Sequence, residues 1–248
     1  MIFCRKKLAP VAGVALFLFF ASAGQASAQM AWTDRAFLNA SIGQQWMDQR
    51  LVSGSSFEIY DETANWEAVM DVDDSIVFDV SAGYRVWKNL AIAVGYARTT
   101  DTGDTALAAA IPDTLRFDTP HHETRELTGY DREESVFHIS AVWMVPVTDK
   151  IDIALMAGPS FFSVKQPFLS DITVTPGGTT IGTTTDGEIS DSAQGYHVAI
   201  DGAFRIIRNV GIGGLLRYAK AEVAAPRLVA GTLDVGGFQG LVGVRVRF

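Results

Sequence analysis

Residues 236–248, from Gly236 to Phe248, read GGFQGLVGVRVRF. Counting back in twos from Phe248 gives Val246, Val244, Val242, Gly240 and Phe238, while Arg247, Arg245, Gly243, Leu241 and Gln239 fall between them. Side chains alternate across an extended strand, so this period of two sets an apolar face against a face that carries two arginines. Such a strand separates two solvents. In a soluble sandwich the apolar face meets a core and the charges meet water, whereas in a membrane barrel the apolar face meets lipid and the charges line a lumen.

The start of the chain bears on the compartment. Arg5, Lys6 and Lys7 form a basic segment, Val11 to Ala21 is uncharged and rich in Phe and Leu, and Ala26-Ser27-Ala28 supplies small residues. This pattern predicts a secretory signal peptide over residues 1–28, cleaved after Ala28, with residues 29–248 as the barrel domain. The apolar run is shorter than the roughly 20 residues of a spanning helix. The single cysteine, Cys4, leaves with the leader, so no disulfide or cysteine metal site is expected in the mature chain. The formal net charge of −8 becomes more negative when three basic residues are removed, which gives no support for nucleic-acid binding. A composition that is 48% hydrophobic, with no long apolar run after the leader, suits a membrane β-barrel and also a periplasmic sandwich.

Alternation predicts eight strands: 36–48, 75–87, 90–98, 135–145, 151–164, 194–206, 210–220 and 236–248. Pro159 interrupts the fifth and is expected to mark a bulge, because proline removes a ladder donor. Extra hairpins beyond the membrane are allowed within 55–72 and 172–184. The connectors alternate strictly between turns of a few residues, such as Lys88-Asn89 and Arg208-Asn209, and segments of about 26, 36, 29 and 15 residues. A soluble sandwich has no reason to sort its connectors by length. A bilayer does, because backbone groups inside it must be paired and a sheet achieves that only by closing.

Aromatic residues including Trp46, Tyr84, Tyr96, Trp143, Phe204 and Tyr218 occupy the ends of the apolar rows, suited to interfacial girdles. The opposite face is Gly, Ala and Ser with isolated charges: Asp79, Arg85, Asp152, Asp201, Arg205, Arg217, Arg245 and Arg247, with His138 and His197 nearby. An eight-stranded lumen is nearly filled by side chains, so these charges are expected to pair as an internal network. The alternative is a gate in which Arg217 or Arg245 exchanges partners between Asp201 and Asp79 and opens a narrow conduit.

The long connectors are acidic. Residues 50–74 carry one basic and seven acidic side chains, and residues 101–134 carry three and nine. Solvated loops explain this, as does sharing of divalent cations with lipopolysaccharide headgroups or contact with an external partner. Nothing matches the ligand spacing of a calcium loop, and His121-His122-Glu123 is a weak metal pattern, because neighbouring side chains on a strand point apart. No serine, histidine and orienting group assemble on the lipid face, so no catalytic residue, metal or cofactor is assigned. A lipid-modifying enzyme is a lower-ranked alternative.

The leader, the alternating strands with their tight turns, and the closing Val242, Val244, Val246 and Phe248 resemble the small outer-membrane β-barrel family, of the OmpA transmembrane-domain and OmpX type. The resemblance implies an all-β, eight-stranded antiparallel up-and-down transmembrane β-barrel in the bacterial outer membrane, surrounded by phospholipid and lipopolysaccharide. It further implies that Phe248, with Val246 and Val244, is read by the barrel assembly machinery. The chain departs from OmpA in having no periplasmic domain after Phe248, so a tether to the cell wall is not expected. A structural or surface-interaction role without enzymatic activity follows, with the external ligand unnamed.

Overall fold

The computed structural model describes residues 32–47, 49–72 and 74–248; the expected leader lies outside them. Ten strands are formed: β1 (Ala36–Trp46), β2 (Gln49–Ile59), β3 (Glu62–Val72), β4 (Ser75–Trp87), β5 (Leu90–Asp113), β6 (Arg116–Pro146), β7 (Ile151–Val174), β8 (Ile181–Arg205), β9 (Val210–Ala224) and β10 (Thr232–Arg247). Eight of them, β1 and β4 to β10, pair antiparallel in sequence around a ring, and the β1–β10 ladder from Phe37↔Arg247 to Trp46↔Phe238 closes it. Closure leaves no unpaired edge within the ring.

The extra hairpin allowed within 55–72 is present, longer than its allowed bounds, and joins the sheet. β2 and β3 form a hairpin off the ring, attached where Asn65–Met70 pairs with Thr105–Ala110 of β5. Its two-residue turn, Tyr60-Asp61, has both φ angles positive (55° and 64°). This turn geometry matches strand twist but normally draws Asn-Gly or Asp-Gly. The other long connectors are mostly strand as well. β5 and β6 continue as a hairpin to the turn between Asp113 and Arg116, and β7 and β8 continue to residues 175–180.

The alternation has the predicted sense. Outward apolar side chains are exposed, as for Phe78 (58%), Tyr84 (60%) and Val242 (66%), while Asp79 and Arg245 on the opposite face are 2% exposed. The 11-residue β1, at ~3.3 Å per residue and a tilt of roughly 40°, crosses about 25–30 Å, the height of a bilayer's apolar core. Above that height the strand ends pack inward on apolar residues. One buried cluster joins Leu51, Met70, Tyr130, Phe168, Leu228 and Leu233, and a second joins Trp66, Leu107, Ile111, Leu169 and Ile172. The part outside the membrane is therefore a folded β-head: the second cluster lies wholly within it, and the first continues down into the ring through Val77, Val136 and Leu241.

Pro159 makes no bulge. The β6–β7 register is the same at His138↔Ser160 and at Ala141↔Ala157, with the ladder open only between them. β7 stays paired with β8 through Pro159↔Tyr196, so the missing donor falls on the β6 side.

Candidate functional site

Alternation turns one side chain in two into the lumen, and the narrow ring brings inward residues from distant strands together. At the short-turn end, Arg205 Nη2 donates to Asp34 Oδ2 (3.0 Å) and Asp152 Oδ2 (3.1 Å). Beside them Arg85 donates to the Trp32 carbonyl. Arg247 donates to Asn39 Oδ1 (2.8 Å), with its guanidinium 5.1 Å from the centre of the Phe37 ring.

The next tier up holds two buried ion pairs. Arg245 donates to both oxygens of Asp201 (2.5–3.0 Å) and to Ser41 Oγ (2.8 Å). Arg217 donates to Asp79 Oδ2 (2.8 Å) and to Gln239 Oε1 (2.7 Å). Gln239 Nε2 donates in turn to Gln45 Oε1 (2.5 Å), and Gln45 Nε2 donates to the Gly236 carbonyl (2.9 Å). Gly236 lies at φ 92°, and a Cβ there would meet Ala219 O at 2.3 Å, so only glycine presents this carbonyl to the lumen.

All eight charges expected in the lumen thus point inward, in separate groupings. Three of those groupings, Arg205–Asp152, Arg217–Asp79 and Arg245–Asp201, are carboxylate pairs that the sequence left unassigned. Arg85 and Arg247 instead take neutral acceptors. Several partners were missed. Asp34 and Trp32 precede the first strand, and Gln45, Gln239, Asn39 and Ser41 are uncharged. Arg132 and Glu134, expected in a solvated loop, form a buried pair at 2.9 Å. Their alternation with Val136 and His138 was the available signal.

A serine–histidine chain also emerges. Ser160 Oγ lies 2.8 Å from His138 Nδ1 and 2.9 Å from His197 Nδ1, and His197 Nε2 lies 2.8 Å from Ser140 Oγ. Ser160 has one proton to donate, so with both rings neutral at least one of them must donate to its oxygen from Nδ1. His138, His197, Asp79, Asp201, Arg217 and Arg245 line a cavity of about 20 Å³, room for about one water. All four members of the chain are walled in, with Ser160 fully buried.

Val244 and Phe248 are exposed on the outer wall, and Val246 is half-buried on the same row. Of the metal pattern, Glu123 accepts the Ile181 N–H (2.6 Å) and an Arg125 N–H (3.1 Å), so its carboxylate is committed to the β-head. In the head Tyr130 donates to Asp186 Oδ1 (2.5 Å); burial first, then this bond, pushes its hydroxyl well above the usual tyrosine range.

No protein-family model matches the chain, and no curated protein matches it in sequence. Among solved structures, OprG of Pseudomonas aeruginosa aligns with TM-score 0.48 and 7% identity, covering 87% of this chain and 96% of that one. Neisserial surface protein A aligns with TM-score 0.45 and 16% identity over 86% and 97%, and the Escherichia coli outer-membrane protease OmpT with TM-score 0.44 and 8% identity over 90% and 99%. Likeness this distant says nothing about activity. The closed ladder, the apolar outer wall and the charged interior make the chain an outer-membrane β-barrel on its own geometry.

Proposed function

We propose that the barrel acts through what it displays: a rigid, acidic β-head held outside the membrane to contact an external partner, with no enzymatic step. The observation that carries this reading is the head itself. Its strands share two buried apolar clusters, while its most exposed apolar side chains, Leu115 (90%) and Phe117 (79%), stand at the β5–β6 tip. An acidic surface around an apolar tip favours basic or amphipathic partner surfaces. The lumen residues Asp79, Arg85, Asp152, Asp201, Arg205, Arg217, Arg245 and Arg247 serve as a fixed internal plug, and the sealed serine–histidine chain supports a non-catalytic reading. Phospholipid and lipopolysaccharide surround the wall, and Val244, Val246 and Phe248 form the recognition row for the assembly machinery.

The test is adherence of cells producing the full chain to immobilised basic and neutral proteins. Producing cells are expected to adhere better to the basic set, and Leu115→Ser with Phe117→Ser to lower that adherence while leaving the barrel folded. Equal adherence of producing and non-producing cells contradicts a display role.

A further inference from the structure

The outer wall is not uniformly convex. Gly202 of β8 and Gly214 of β9 pair directly and both face outward, and Gly214 pairs on its other side with Val242 of β10. They floor an apolar trench of about 760 Å³, bounded by Ile42, Val242, Val244, Ile212, Phe204 and Ile151. That volume lies in the ~300–1,000 Å³ range of small-ligand sites.

Most strand glycines in the ring are forced. A Cβ at Gly43, Gly158, Gly195, Gly211 or Gly243 would come within 2.5 Å of a backbone oxygen. The trench glycines are different: a Cβ at Gly202 would meet nothing within 4 Å, and one at Gly214 only Leu241 O at 3.7 Å. Neither has a positive φ. Glycine in a strand interior is destabilising and packs nothing, so two adjacent ones with free space around them preserve a gap that the fold itself does not need.

The trench has a direction. Gly202 pairs with Ile153 and Phe204 with Ile151 at the foot of β7, while Ile42 stands high on β1, opposite Val242. A row across tilted strands is inclined to the membrane plane, so the trench descends from mid-bilayer to the short-turn end. Exposed Lys150 immediately precedes Ile151 at its foot, and exposed Arg208 lies in the neighbouring turn. Asp149 shares the first turn and leaves the pair of turns net positive, in contrast to the acidic head.

We propose that this trench binds one anionic phospholipid of the leaflet on the short-turn side, its acyl chain lying over Gly202 and Gly214 and its phosphate meeting Lys150 and Arg208. A second barrel is a poorer occupant: a two-fold contact would set trench against trench and leave both unfilled.

The test uses the whole protein in nanodiscs of equal phosphatidylglycerol and phosphatidylcholine, with retained lipid counted by native mass spectrometry. Wild type is expected to keep one phosphatidylglycerol, preferred roughly thirtyfold from two surface cations. Gly202→Leu with Gly214→Leu should lose it, and Gly202→Ala with Gly214→Ala, which the free space admits, serves if the larger pair fails to fold. Lys150→Gln with Arg208→Gln should keep a lipid without the preference. Equal retention by wild type and the filled variants overturns the site, as does a disulfide-linked dimer from Gly214→Cys. A preference that survives loss of both cations overturns the headgroup assignment.

Discussion

Arg245 makes four hydrogen bonds to Asp201 and Ser41 while 2% exposed, so its charge is tolerated only because its partner is fixed. Asp201→Ala is expected to cost about 3–5 kcal/mol, since it strands a buried guanidinium, whereas Asp201→Leu with Arg245→Met should come close to neutral. Urea unfolding in detergent micelles, followed by unheated gel mobility, distinguishes the two. Ser160→Ala leaves two imidazole nitrogens without their shared hydroxyl, and a loss of about 1–3 kcal/mol is expected in the same assay. These side chains were legible in the sequence as a polar face, because alternation is local. Their partners were not, because Arg217 meets Asp79 only once the ring has closed with a particular stagger between strands.

The strands divide into those that carry their own evidence and those that borrow it. β10 declares itself by strict alternation. β2–β3 does not, since its Tyr60-Asp61 turn lacks the usual turn residues and Glu, Asp and Asn interleave with Phe57, Trp66 and Val69. It holds by pairing with β5 and by burying Trp66 against Leu107 and Ile111. Trp66→Ala should cost about 3–5 kcal/mol locally and open the hairpin to protease while the ring stays heat-modifiable on gels. Gly158→Ala should act on the ring instead, because its Cβ would meet Ile139 O at 1.9 Å beside the open stretch of the β6–β7 ladder. In the head, an unfolded tyrosine ionises near 10, but buried Tyr130 holds its proton to higher pH. Stability is therefore fully present below pH 10 and falls as pH rises beyond it, visible as faster head proteolysis.

At the scale of the molecule, the polarity is inverted relative to a soluble barrel, and both halves of that inversion are needed. The alternating connector lengths and girdle aromatics made the membrane reading legible from sequence. The head showed itself only as the two hairpins allowed within 55–72 and 172–184, because acidic and threonine-rich segments read as loops until their inward residues share a core. With the charged tier closed around a cavity of about 20 Å³, wild type should give silent planar-bilayer traces. The most direct test is spin labelling of the whole protein in bilayers at Val80, Ile92 and Val242, set against inward Val77, Ala93 and Leu241. The outward labels should collide freely with dissolved oxygen and little with a water-soluble nickel chelate, and the inward ones with neither. Outward labels that collide mainly with the chelate would mean that this wall faces water, and the membrane barrel would be wrong.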